Sequence, residues 1–536
     1  MLKRTGSIAA LAMLGAGLTV GSAYAAVSKA KGDSDAARCS ALQKFVVDSD
    51  TTITQATLMP AQFVTPPSDM GMSMPGRAVS KSFCRVEVTA KPDQSEINYE
   101  VWLPLASDWN GRFFGVGTGG FGGGVLYNAP PTFAQGGLAG AVEKGYAAMA
   151  TDYGHKSPGM NLMWAVHKPA QLADFGFRAV HASTVGAKKI TAAFYGKQPN
   201  YAYWDGCSRG GAMGMVNAQR WYTDYNGIIA GDPARDWIRN LVSSSAYALR
   251  QVRDPASRLP ESKRAMLHKA VLDQCDAVDG LTDGLIQSAR QCKFDPSKLL
   301  CKGAESDSCL TKGQVEAVKE LYTGIVGRHG QQIADPYLPG SESMWMFYGT
   351  DEFKPDMKTP LASVAQFWSG FVYEDPTFDP GKSLNIEEGQ AFAKKKLGWI
   401  LSYEDPDLSP FQRAGGKLLT YHGEADGLNS PVVSTAYYKD VVGTLGQAKT
   451  DEFIRYYLVP GMGHCFGGDG PDVFNMLPTL QDWVEKGEEP KPIVAAKVKD
   501  GNVVRTRPLC PYPQVAKYQG SGDINDAANF TCRKSD

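Results

Sequence analysis

The sequence predicts an α/β fold: one mainly parallel sheet flanked by helices and interrupted by a large insertion. Three observations predict it. Between Trp109 and Ala234, short apolar segments alternate with segments of helical spacing. That rhythm stops near Asp236 and resumes at Gly416; the stretch between holds four cysteines, many charges and many aromatics without βαβ order. The chain has 536 residues, long for one simple core and suited to a domain with an insertion.

The elements follow in order. Residues 1–25 read as an export signal: Lys3 and Arg4, an apolar run from Ile8 to Val20, then Ala23-Tyr24-Ala25 as an A-x-A cleavage site. The run is short for a membrane span, so cleavage after Ala25 is expected to deliver an unanchored protein to the periplasm or the medium. Residues 26–235 form the first part of the sheet domain. FCRVEV and INYEVWLP, between Ser82 and Leu105, alternate as strands do. WNGRFFGVGTGGFGGG (109–124) is a strand entering a glycine-rich loop, and YAAMATDYG (146–154) is a short buried strand. Residues 170–195 have helical spacing, with Phe177, Val180, Val185 and Ile190 among the apolar positions. YAYWDG (201–206), GGAMGMVNAQRWY (210–222) and NGIIAGDPA (226–234) read as strand, helix and strand. Residues 236–412 are the insertion. Residues 413–536 complete the domain, with strands in GKLLTYHGEAD (416–426) and FIRYYLVPG (453–461) around a helix at 433–442.

Composition narrows the function. Hydrophobic residues make up 43% and charged residues 21%, with a net charge of -1. There is no basic surplus for nucleic acid and no long charged tail.

The chemistry centres on Gly206-Cys207-Ser208-Arg209-Gly210, a G-x-S-x-G pattern with a strand before it and a helix after it. That context is a nucleophile elbow. A serine hydroxyl needs a base, and seven histidines are available. In α/β-hydrolases the order is Ser, then Asp or Glu, then His. His464, in a turn after the last strand, fits the base, and Asp426, after the preceding strand, fits the orienting acid. Glu424 is the weaker candidate for the acid, and His422 reads as a structural support of the same loop. Backbone N–H groups of Arg209 and Gly120 would form the oxyanion hole. The glycine loop lacks the Lys-Ser/Thr ending of a phosphate-binding loop.

Ten cysteines in an exported chain suggest disulfides. Cys207 adjoins the serine and Cys465 adjoins the histidine. A working Ser–His pair brings their backbones near disulfide spacing, which predicts a Cys207–Cys465 bond around the whole insertion. Cys275 and Cys292 bracket an acidic loop, Cys301 and Cys309 a polar loop, and Cys510 and Cys532 the tail. No CxxC pair or adjoining histidine points to zinc in these stretches. In the acidic loop, Asp276, Asp279 and Asp283 crowd together with two glycines. The spacing is not that of an EF-hand, and a structural Ca²⁺ is expected, its shell completed by the carbonyls of Leu281 and Leu285.

GCSRGG, HGEAD and GMGHC together resemble the tannase and feruloyl esterase family of α/β-hydrolases, which includes bacterial terephthalate-monoester hydrolases. WNGRFF, CDAVDGLTDG, LVPGMGHC and RTRPLCPYPQVAKYQGSGDIN carry the likeness over nearly all of the chain beyond the signal. It is weakest in the second half of the insertion. The resemblance implies an α/β-hydrolase fold with a large inserted lid domain. It implies Ser208, Asp426 and His464 as the triad, with Gly120 and Arg209 at the oxyanion hole. It implies Ca²⁺ held by Asp276, Asp279, Leu281, Asp283 and Leu285. The disulfides implied are Cys39–Cys84, Cys207–Cys465, Cys275–Cys292, Cys301–Cys309 and Cys510–Cys532. One departure stands out. The terephthalate-monoester hydrolases resemble each other in holding the substrate's free carboxylate with a lid arginine, and no arginine occurs here between His329 and Gln412. Lys354 or Lys358 could stand in, without the bidentate fork. The lid aromatics Trp345, Phe347, Phe367 and Trp368 suit a flat acyl group or, equally, the lid's own core.

The expected function is therefore secreted serine ester hydrolysis on small-molecule esters of aromatic acids, feruloyl- or galloyl-type, without nucleic acid or membrane partners. Terephthalate-monoester hydrolysis is the alternative, and a calcium-stabilised, non-catalytic binding protein is the remote one. The oligomeric state is not legible.

Overall fold

The computed structural model describes residues 34–69, 73–157, 161–345, 348–359 and 361–534. The expected export signal lies outside the described residues. Nine strands form one sheet: β1 (Thr51–Met59), β2 (Phe83–Ala90), β3 (Ile97–Pro104), β4 (Arg112–Gly117), β5 (Ala147–Thr151), β6 (Tyr201–Cys207), β7 (Gly227–Gly231), β8 (Lys417–Gly423) and β9 (Ile454–Val459). Their order across the sheet is β1-β2-β3-β5-β4-β6-β7-β8-β9. The first three strands and β5 pair antiparallel, and β5 through β9 pair parallel.

Burial on both faces explains the apolar strands. All residues of β5 and β7 are buried, as expected for parallel strands covered on both sides. The two-residue period sends neighbours to opposite faces. Phe113, Trp204, Ile228 and Leu418 join one apolar cluster. Phe114, Tyr203, Ile229 and Leu419 join the other. Helices α1 (Gly137–Glu143), α2 (Ala179–Tyr195) and α3 (Arg209–Arg220) cover the sheet. The helical spacing expected over 170–195 is interrupted by one wide turn, Asp174–Arg178. Ile400 of the lid packs against Gly176 in that turn; a Cβ there would lie 2.3 Å from its Cγ2.

Between β7 and β8 the chain leaves the sheet. Its main helices are α4 (Trp237–Arg253), α5 (Glu261–Cys275), α6 (Lys312–Thr323) and α7 (Ile386–Leu401). Asp236 caps α4 by accepting from the Arg239 N–H at 3.1 Å. The exit and return are tied together: Ser402 donates to the Asp236 carboxylate at 2.8 Å, and the Tyr403 N–H to the Arg235 carbonyl at 3.0 Å. Lid and sheet residues share one continuous apolar cluster, so the insertion packs on the domain that carries it.

After β9 come α8 (Leu477–Lys486) and two hairpins, Ile493–Lys499 with Asn502–Leu509 and Gln514–Tyr518 with Phe530–Lys534. All five implied disulfides are present, and no cysteine among the described residues is free. No helix of the described residues is long and apolar enough to cross a membrane.

Candidate active site

Three glycines make the turn that exposes Ser208. Gly117 at the end of β4, Gly206 in β6 and Gly210 in α3 pack backbone to backbone. A Cβ on Gly206 would lie 2.7 Å from Gly210, and one on Gly210 would lie 2.7 Å from Gly117. No side chain fits there. Ser208 takes φ 60° and ψ -117°, a strained conformation for a non-glycine residue. Its N–H donates to the Gly231 carbonyl at 2.9 Å, which ties the elbow to β7. Arg209 opens α3, so its N–H lacks a helical partner and is available to a ligand.

Asp426 and His464 meet as their chain order suggested. His464 Nδ1 lies 2.7 Å from Asp426 Oδ2. The Asp426 carboxylate also accepts from the N–H groups of Leu428 and Asn429, each at 2.8 Å, and lies 3.1 Å from His422 Nε2. Burial opposes its charge, but His464 and His422 outweigh burial and hold the carboxyl below its usual range. Burial lowers the pKa of His464, and Asp426 together with Asp232 raises it by more. His464 Nε2 is buried and has no hydrogen-bond partner. No hydrogen bond joins it to Ser208, a contact that is commonly long before substrate binds. The Cys207–Cys465 disulfide, with Cα atoms 6.0 Å apart, fastens the two loops beside each other. Glu424 does not take part: its side chain lines a different cavity.

Asp232 is a residue the sequence reading missed. It follows β7 at φ 35° and is fully buried. Its carboxylate accepts from the N–H of Gly423 at 2.8 Å and of Cys465 at 3.0 Å, and lies 3.6 Å from His422. It therefore links the loops after β7, β8 and β9. Burial pushes its carboxyl up to about 6, against the pull of His422. Its place at the carboxyl end of a parallel strand was the available signal. Asp232, His422 and Asp426 cluster closely enough to hold a metal ion. Their hydrogen bonds to backbone N–H groups and to one another already account for the cluster.

A cleft opens at Ser208. Gly120 lines it with φ 62°, and Phe121 and Trp237 give it an aromatic wall. Among the described residues, no charged side chain lines it. The lid aromatics are elsewhere. Trp345, Phe367 and Trp368 are buried in the lid core, where the indoles of Trp345 and Trp368 donate to Ser341 and Ser245. Phe347 lies outside the described residues. Lys354 pairs at the surface with Glu352 and Asp356, and neither it nor Lys358 lines the cleft.

The Arg209 side chain lies behind this wall. It is fully buried, with its guanidinium carbon 3.9 Å from the Phe175 ring centroid and 5.0 Å from that of Trp237. Its polar contacts are long, 3.5 Å each to the Tyr403 hydroxyl and the Gly176 carbonyl, and among the described residues no carboxylate pairs with it.

In the acidic loop, Asp276 accepts the N–H groups of Asp283, Gly284 and Leu285, and Asp279 accepts that of Leu281. Asp283 pairs with the buried Arg507. Burial first, then Asp283 and Asp276, push the Asp279 carboxyl up to about 6. Ligand atoms of the three aspartates do not converge within 4.8 Å of one another. The all-oxygen donor set is nevertheless of the kind a hard divalent cation takes.

A model of the family described as tannase and feruloyl esterase matches residues 81–533. The chain belongs to this family. Within it, a probable feruloyl esterase B-2 from Aspergillus terreus is 32% identical over 87% of this chain and 88% of the relative. A mono(2-hydroxyethyl) terephthalate hydrolase from Piscinibacter sakaiensis is also 32% identical, over 82% of this chain and 81% of the relative. The solved structure of feruloyl esterase B from Aspergillus oryzae superposes with a TM-score of 0.84 at 29% identity, covering 93% of this chain and 100% of the other. This tannase and feruloyl esterase family member is thus an α/β-hydrolase and a carboxylic ester hydrolase.

Proposed function

We propose that the protein is a secreted feruloyl esterase-type enzyme that cleaves esters of aromatic acids through Ser208, His464 and Asp426. The observation that carries the substrate class is the uncharged cleft at Ser208, walled by Phe121 and Trp237. A flat aromatic acyl group suits such walls. A free carboxylate, as on a terephthalate monoester, meets no counter-charge there among the described residues, so this alternative fits less well. Galloyl esters share the flat ring and stay within the proposal. The five disulfides support an oxidising destination.

In the mechanism, Ser208 Oγ attacks the ester carbonyl carbon while His464 Nε2 takes its proton. Asp426 keeps the histidine proton on Nδ1 and stabilises the imidazolium. The N–H groups of Arg209 and Gly120 receive the developing oxyanion. The C–O bond breaks, His464 returns the proton to the leaving alkoxide, and the alcohol departs. Water, activated by the same histidine, then attacks the acyl-enzyme and releases the acid. Asp276, Asp279 and Asp283, with the carbonyls of Leu281 and Leu285, would hold a structural Ca²⁺ that takes no part in these steps. The ion would neutralise the crowded carboxylates.

A panel of methyl ferulate, methyl gallate, mono(2-hydroxyethyl) terephthalate and a short aliphatic ester tests the substrate class. Highest kcat/KM on the first two supports it; activity on the aliphatic ester alone overturns it. An active-site phosphonate is expected to label Ser208. Calcium chelation is expected to lower Tm, and an unchanged Tm argues against the ion.

A further inference from the structure

A second cavity lies between the lid loop at 287–291, the loop after β8 and the tail at 508–516. Ser208, Asp426 and His464 do not line it. Two charged side chains face it from different parts of the chain. Glu424 is 5% exposed, and no hydrogen bond holds its carboxyl. Burial pushes that carboxyl up to about 7, with Arg290 pulling only partly against it. Arg290 donates one guanidinium N–H to Thr435 and leaves its buried Nε without a partner. No ion pair joins the two residues, so each keeps unused hydrogen-bonding capacity at the same cavity.

The buried Arg290 Nε is left unbonded at a cost, and the Glu424 carboxyl is open to a ligand at the same cavity. The pair has opposite charges. A cation would be repelled by Arg290, and an anion by ionised Glu424. A neutral hydroxyl satisfies both: its oxygen accepts from the guanidinium and its proton goes to the carboxylate. The wall adds the amides of Gln287 and Gln514 for further hydroxyls. Pro460, Pro513 and the Tyr512 ring add flat apolar surface for C–H faces. We propose that this cavity binds a neutral polyhydroxylated ligand, a sugar of one or two rings, at a site separate from the ester cleft.

Calorimetric titration of the full chain tests this, with Ser208 blocked by a phosphonate so that the ester cleft is closed. D-xylose, L-arabinose and xylobiose are the probes; benzoate and tetramethylammonium are the charged controls. The expected result is saturable binding of at least one sugar and none of the controls at equal concentration. Glu424→Gln and Arg290→Met each weaken it tenfold or more. Gln514→Ala, at an exposed strand position, weakens it a few-fold with an unchanged Tm, which separates lost binding from lost folding. The proposal is overturned if no sugar saturates, if benzoate binds more tightly than the sugars, or if all three variants bind sugar as the wild type does. Unblocked Glu424→Gln keeps its methyl ferulate kcat/KM within twofold. Failure of the phosphonate to label Ser208 would count against the esterase mechanism alone, because sugar binding can be measured without it.

Discussion

Ser208 is presented by its backbone, and in the proposed mechanism residues far along the chain make it reactive. His464 must be neutral at Nε2 to take the serine proton. Its pKa is shifted upward from 6.5, because Asp426 and Asp232 together outweigh burial. The kcat/KM for methyl ferulate is therefore expected to rise with pH along a limb centred above 6.5; a limb centred below that value contradicts the assignment. In Asp426→Asn the limb should move down, and kcat should fall roughly 10⁴-fold as the imidazole loses its tautomer. Arg209 gives a different expectation. Its guanidinium is buried against Phe175 and Trp237 with no carboxylate. Replacing a buried charge by an apolar side chain of similar length is often neutral or stabilising. Arg209→Met should keep or raise Tm, yet lower kcat/KM several-fold on aromatic esters, since Trp237 loses the cation behind it. A lower Tm with unchanged kinetics would make the arginine purely structural. At this scale the sequence was most legible where chemistry imposes order: a serine between glycines, an acid, then a histidine, with flanking cysteines. Asp232 and Trp237 lie in DPARDW, where no motif separates a site residue from a loop residue. The lid aromatics stayed ambiguous in the sequence because composition does not reveal whether a ring faces a cleft or a core.

Among the elements, a histidine helps to latch the lid to the histidine loop. His268 in α5 lies 2.8 Å from Glu342 of the lid and 2.8 Å from Asp469, just beyond His464. Burial alone would lower its pKa, but its bonds to Asp469 and Glu342 raise it to about 9. A raised histidine pKa stabilises the folded state fully below the unfolded value of about 6.5, and that stabilisation is lost as pH rises through about 9. His268→Gln should therefore lower Tm more at pH 6 than at pH 10 in thermal melts. Equal losses at both pH values would show that the contact does not depend on charge. The alternating strands and the helices of the parallel part were legible because burial on both faces leaves nearly continuous apolar runs. The strand β1 and the two C-terminal hairpins were not. Val494, Val498, Val503 and Val504 are exposed in the first hairpin, so no alternating apolar face marks it.

For the whole molecule, the disulfide between Cys207 and Cys465 spans 258 positions and encloses the lid. A protease that cuts one exposed lid loop that no other disulfide brackets, such as 328–330, therefore releases nothing. The two pieces remain covalently joined on either side of the Ser208 and His464 loops. Lightly digested protein should run as a single full-length band on a non-reducing gel, split into two after reduction, and still hydrolyse methyl ferulate before reductant is added. In a compartment rich in other organisms' proteases, the same bond would let the enzyme outlast the continuity of its own backbone.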